Sequence, residues 1–395
     1  MITQPPQLSP LVAARWATIG IFASAGAGLA SWFPYIPHVQ ERLSLSNGAL
    51  GLSLLGMPIG GILCAQIASP LIGKIGSRTV TLITSIIFFV ALPIPVLASN
   101  IALLLLGLIL IGGSSGLRNV AMNAQAVEIE RRYGRPILST FHAAFSLGLL
   151  ASAALAVLVI GAGWSPAAHV VIVALILGAM SVLASQKLLR IASERTLGPA
   201  HLARPNLTLI KLGVIAVALL IAEGAMADWA SVFVRTVLNG SAQISALAYA
   251  AFTATMALGR LTGDKTTAYL GPVRMLRSGG ALITLGLMIA ALVPNTAVAI
   301  IGFALVGLGV SCGYPIMISA AGRVAGVSTA AALTIVVTIG SIGFLLGPPL
   351  IGLLAEITSL RIALLTVSLA GLIEIALAPT AAPTAAQVQG KPNPA

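Results

Sequence analysis

The chain has 395 residues, of which 58% are hydrophobic and 8% charged, with a mean hydropathy of +1.05. A soluble domain carries roughly 25% charged residues, so this chain cannot clothe itself in a polar surface, and a lipid bilayer is the solvent that removes the need. The net charge of +12 does not point to nucleic acid, because the basic residues lie in short gaps between apolar runs, where they act as topology signals.

A membrane-spanning helix needs roughly 20 apolar residues. In chain order, such runs lie at about 13–37, 46–72, 78–98, 101–130, 136–161, 166–188, 209–236, 242–265, 274–293, 296–322, 327–355 and 360–378. The first is as long as a full span and has no convincing small-residue cleavage site behind it, so it reads as helix 1 and not as a cleaved signal peptide. With the N-terminus in the cytoplasm, 16 of the 21 Lys and Arg residues fall on the inner side. Arg42, Arg235 and Arg361 fall outside, and Arg118 and Arg260 fall within spans. That bias predicts both termini in the cytoplasm, and it checks the count, since one missed span would invert every later loop. Cys64 and Cys312 each sit in an apolar run and read as packed free thiols, with no metal or disulfide spacing.

The expected fold is therefore an all-α integral membrane protein of 12 transmembrane helices in two six-helix bundles related by pseudo-two-fold symmetry. The boundaries are a tail at 1–12, a bundle at 13–188, a basic linker at 189–208, a second bundle at 209–378 and a Pro/Ala-rich disordered tail at 379–395. Weak internal similarity supports two halves. Gly116 precedes Phe145–Gly148 (FSLG) by about the interval that separates Gly313 from Gly340–Gly343 (GSIG), and SPLIGKIGSR has a counterpart in GRLTGDKTTAYLGPVR.

Charge within a span is costly and marks function. In helix 4, Arg118, Met122 and Gln125 share one helical stripe, and Asn119 and Asn123 share the next. Arg118 lies on the order of 20 Å from the inner end. It is either a substrate or counter-ion site, or an arginine satisfied between helices. Glu223 in helix 7 lies about 18 Å in, near the midplane. A carboxylate there is hard to keep ionised, which makes Glu223 a candidate proton carrier as much as a structural partner. Asp228 faces elsewhere and is placed to pair with Arg235. Trp229 offers a ring for stacking or an interfacial anchor. His142 lies about 10 Å from the inner end of helix 5, near the level of Gln125. Tyr314 offers a hydroxyl from the second half. Glu128 with Arg132, and Arg260 with Asp264, are i,i+4 pairs that serve either as surface pairs or as a cytoplasmic latch. Helices 3, 6, 9 and 12 read as a lipid-facing shell.

With these residues in view, the whole chain resembles the major facilitator superfamily. The stretches NVAMNAQAVEIE (119–130), GRPILSTFHAAFSLG (134–148), EGAMADW (223–229), GRLTGD (259–264) and GFLLGPPLIG (343–352) resemble its fucose-permease-like branch and related bacterial inner-membrane proteins. Three departures stand out. Gly73 occupies the acidic position before Lys74 in the loop between helices 2 and 3. Helix 5 lacks the Gly-Pro of antiporters. Helix 1 has no carboxylate before Glu41.

The resemblance implies alternating access by two rocking halves. The expected function is secondary transport of a small solute, a sugar or related polar metabolite, in symport with protons across a bacterial inner membrane. Arg118, Asn119, Asn123, Gln125, His142, Trp229 and Tyr314 are the candidate substrate contacts, Glu223 and Asp228 the candidate proton-coupling groups, and Glu128, Arg132, Arg260 and Asp264 the candidate cytoplasmic gate. The expected partners are a small-molecule substrate, protons and the bilayer, with no cofactor, no metal, no nucleic acid and a monomeric state. Efflux of amphipathic compounds and a transport-inactive sensor on the same fold are the alternatives. An enzyme is not expected, since the chain lacks phosphate-binding, paired-histidine and nucleophile-elbow motifs.

Overall fold

The computed structural model describes residues 8–134, 137–190, 206–327 and 329–382. The described residues form helices and connecting turns, with no strand. Twelve helices are long and apolar enough to cross a membrane: α1 Pro10–Arg42, α2 Asn47–Gln66, α3 Ser77–Leu97, α4 Ile101–Tyr133, α5 Thr140–Gly161, α6 Pro166–Ser185, α7 Leu207–Thr236, α8 Ala242–Leu270, α9 Pro272–Leu292, α10 Thr296–Ala321, α11 Ala331–Ile357 and α12 Leu360–Ala381. The count matches the apolar runs one for one. Residues 191–205 of the expected linker, and the tails at 1–7 and 383–395, lie outside the described residues. A 3-10 turn at Ala378–Ala381 runs from the end of the expected second bundle into the expected C-terminal tail.

Four of the described spans are locally broken: α2 at Leu55, α3 at Leu92 and Pro93, and α1 and α10 as well. In α1 a 3-10 turn at Phe33–Tyr35 interrupts the run where Pro34 sits. In α10 regular helix stops at Val310 and restarts at Gly313.

The chain divides into two compact units. One is Met1–Leu197 with Ser231–Ala250, and the other is Gly198–Ala230 with Ala251–Ala395. The later parts of α7 and the start of α8 thus group with the first unit, a partition that no single cut in a linker produces.

Within each unit the same close helix contacts recur. In the first, α1 and α5 meet where Gly26 abuts the Phe145 carbonyl and Gly148 abuts the Ala23 carbonyl. In the second, α7 and α11 meet where Gly343 lies against Val217 and Gly340 against Ala216. Likewise α2 and α4 touch at Gly60, Gly61, Gly112 and Gly116, and α8 and α10 touch at Gly259 with Ser311 and at Gly307 with Phe252. In a membrane the drive for helix association is packing, and small residues let backbones approach. The FSLG and GSIG echoes are these two contacts.

The paired loop sequences have an equally concrete basis. Gly76 before α3 has φ 81° and ψ 150°, and Gly271 before α9 has φ 79° and ψ 158°. Only glycine adopts that region freely. Each glycine amide donates back to the residue four earlier, Ile72 at 2.8 Å and Thr267 at 2.9 Å, and each carbonyl accepts from the residue four later, Val80 and Met275, both at 3.1 Å.

Candidate functional site

Each unit carries polar residues within its spans. In the first unit, the two stripes on α4 prove to have opposite fates. Arg118 is 2% exposed and Gln125 is fully buried, with Met122 between them. The Arg118 guanidinium lies 4.0 Å from the Phe88 ring centroid and 5.7 Å from that of Phe89. Its Nη1 has no hydrogen-bond partner among the described residues. A guanidinium over an aromatic face is a cation–π contact, worth about 2 kcal/mol when desolvated. Both rings come from α3, so this helix does more than face lipid.

Gln125 ties three segments together. Its Nε2 donates to Ser77 Oγ and to the Leu189 carbonyl, both at 2.8 Å, and its Oε1 accepts from the Leu189 amide at 3.0 Å. That places the start of α3, the last third of α4 and the segment after α6 in one buried knot. The neighbouring stripe is the accessible one. Asn119 is exposed and Asn123 half-buried, and the Asn123 Nδ2 donates to both the Asn119 carbonyl and its Oδ1 at 2.8 Å. The His142 side chain is exposed on α5, with its ring edge-on to Phe22 at 5.4 Å.

At the α4 terminus Glu128 receives both neighbours. Arg132 approaches at 2.6 Å, as the spacing predicts, and Arg131 joins at 2.8 Å. Glu130 has a role that spacing did not reveal. Its Oε2 accepts from the amides of Ile137 and Leu138, both at 2.7 Å, and so caps the start of the next helix.

In the second unit, Glu223 on α7 and Arg260 on α8 come within 3.7 Å, with side chains 25% and 30% exposed. Arg260 therefore turns to the membrane carboxylate and not to Asp264, which is exposed at the end of α8. The i,i+4 reading of 260 and 264 is corrected accordingly: both partners were available, and the pair in the less polar surroundings formed. Tyr314, half-buried at the restart of α10, lies within electrostatic reach of Glu223. Trp229 is fully buried, which removes the anchor reading, and its Nε1 has no partner among the described residues. Asp228 is half-buried.

Asp228 does not pair with Arg235. The Arg235 Nε donates to Glu41 Oε1 at 2.6 Å, and its Nη1 to the Gly240 carbonyl at 3.1 Å. Glu41 stands 194 residues away in sequence, so no spacing rule could have named it. Among the described residues no cluster of three His, Cys, Asp or Glu side chains is arranged to hold a metal. Cys64 and Cys312 are free thiols.

Twelve apolar helices among the described residues, in two units each with ionisable side chains inside its spans, define a multi-pass membrane protein. The chain belongs to the Major Facilitator Superfamily, whose sequence model matches residues 18–330 and, in a second match, 212–395. It is 34% identical over 358 residues to an uncharacterized MFS-type transporter of Yersinia pestis, covering 91% of this chain and 92% of that one. It is 33% identical over 349 residues to the membrane protein MosC of Rhizobium meliloti, covering 88% and 85%. In fold it is similar to the nucleoside transporter NupG in a mutant form, with a TM-score of 0.76 at 14% identity over 94% of this chain and 99% of the other. It is also similar to a bacterial homolog of the human lysosomal transporter Spinster, with a TM-score of 0.67 at 17% identity over the full length of both.

Proposed function

We propose that this transporter moves a small polar solute by alternating access in symport with protons, and that Glu223 carries the proton. The observation that carries this reading is the Glu223–Arg260 pair. A carboxylate and a guanidinium lie 3.7 Å apart on two spans, both partly accessible. Intramembrane ionisable groups are retained at sites of ion and substrate passage. A carboxylate beside a mobile cation can exchange that cation for a proton without leaving an isolated charge. The accessible Asn119–Asn123 pair offers amide donors and acceptors for a hydroxyl-bearing solute, and His142, Tyr314 and Asp228 extend the polar lining of their own units. The burial of Arg118, Gln125 and Trp229 supports a positioning role for these three. The Lys/Arg distribution supports both termini in the cytoplasm of a bacterial inner membrane. In that orientation Glu128, with Arg131 and Arg132, stands at the cytoplasmic end of α4, where a cluster of this kind serves as a latch.

The test is uptake into proteoliposomes. Wild-type protein is expected to accumulate its solute under an inward proton gradient. Glu223→Gln is expected to keep solute exchange at a comparable rate and to lose accumulation against a gradient. A mutant that still accumulates solute rules out Glu223 as the coupling group. Export of amphipathic compounds, with no polar solute taken up, would favour the efflux alternative.

A further inference from the structure

Glu374 on α12 stands apart from every group used above. It is 1% exposed, and neither carboxylate oxygen has a hydrogen-bond partner among the described residues. Its surroundings are glycine-lined. A Cβ placed at Gly279 of α9 would sit 3.4 Å from Glu374 Oε1 and 2.7 Å from the Gly309 carbonyl oxygen of α10. A Cβ at Gly313, where α10 restarts, would sit 3.0 Å from the same Oε1 and 2.7 Å from Leu219 of α7. Oε1 and the Gly309 oxygen thus share one glycine face beside the break in α10, and the three glycines leave the space a carboxyl head occupies.

The charged and titratable groups on the elements around this seam are Arg274 and Arg277 on α9, Cys312, Tyr314 and the following Arg323 on α10, Lys211, Glu223, Asp228 and Arg235 on α7, Glu356 on α11, and Arg361 on α12. None forms an ion pair with Glu374. An ionised carboxylate in a dry seam with neither counter-charge nor donor is heavily penalised, whereas the neutral acid carries its own donor. A hard cation takes on the order of six oxygen ligands, many more than Glu374 and the Gly309 carbonyl supply.

We propose that Glu374 is a second intramembrane proton-binding site, separate from Glu223, set in the seam of α9, α10 and α12 at the break in α10. Loading the proton lets the seam close on a neutral side chain. Losing it leaves a carboxylate beside the positive end of the helix segment that begins at Gly313, with no paired cation among the described residues. The proton state of Glu374 therefore biases how α10 packs on α12.

Thermal unfolding of the purified protein from acidic to alkaline pH, beside Glu374→Gln, tests this without reference to transport. The wild type is expected to lose stability relative to Glu374→Gln as pH rises, by on the order of 3 °C or more. The sign follows from linkage, because a native state that holds a proton the unfolded chain releases grows less stable as pH rises. Parallel curves would overturn the proposal. So would rescue of the wild type alone by sodium at alkaline pH, which would make the ligand a metal cation. If Glu374→Gln does not fold, infrared spectra of the Glu223→Gln, Asp228→Asn protein are expected to show a protonated buried carboxyl that slowly exchanges its proton. Absence of that band would equally refute the site. Because this readout omits Glu223, its failure and that of the coupling role are distinguishable.

Discussion

Arg118 illustrates how a costly residue can be accommodated with no counter-ion among the described residues. Its charge is spread over a planar group, and the Phe88 face accepts that plane at 4.0 Å. Lysine has a compact, strongly hydrated charge and cannot stack in this way. Arg118→Ala is expected to destabilise the purified protein by about 2–5 kcal/mol, the range for deleting a large buried side chain. Arg118→Lys is expected to fall between Ala and wild type in melting temperature. A direct solute ligand would behave differently, with Arg118→Lys losing transport while its melting temperature stayed unchanged. Gln125 is equally committed, since three hydrogen bonds to Ser77 and Leu189 leave its amide little left to offer.

At the scale of elements, the molecule is a set of glycine-mediated helix contacts that occurs twice. The strongest sign of duplication lies in two turns whose backbone angles and hydrogen bonds coincide, at Gly76 and Gly271. Alanine at either position meets the same backbone strain, so Gly76→Ala and Gly271→Ala are each expected to cost about 1–3 kcal/mol. Gly20, with nothing within 4 Å of its ideal Cβ, serves as the control. Gly20→Ala is expected to leave stability unchanged or slightly raised, since alanine favours helix. Melting temperatures of the three variants check this. Two equal losses beside an unaffected control would mark the turns as equivalent parts of a repeat, and a loss in one alone would not. Element packing also redistributes roles assigned from sequence. The third and twelfth helices carry no deep charge by inspection except Glu374. Yet α3 supplies the aromatic floor for Arg118, and α12 buries its carboxylate in a glycine seam.

For the whole molecule, the orientation inferred from 16 basic residues on one side and three on the other has a direct check. In a Cys64→Ala, Cys312→Ala background, single cysteines at the exposed positions Ser99 and Ser241 are expected to react with a membrane-impermeant maleimide in intact cells. Cysteines at the exposed positions Ile75 and Ala268 are expected to react only after the membrane is permeabilised. The opposite pattern would reverse the topology. These four positions leave every Lys and Arg in place, so the labelling does not disturb the bias it measures.

The sequence by itself determined the solvent, the number of spans and the duplication, because each rests on local quantities: the length of an apolar run, the sign of a loop, the spacing of glycines. It also made the Glu128–Arg132 pair readable, since i,i+4 neighbours on one helix meet wherever that helix goes. The tertiary structure decided partnership. Arg235 reaches Glu41 and not Asp228, Arg260 reaches Glu223 and not Asp264, and Glu130 caps the next helix. It also sorted the α4 polar stripes into a buried one and an accessible one, which helical spacing alone treats alike. Each of these outcomes depends on which helix packs against which, and in a bilayer that choice is made by the fit of small residues between whole helices.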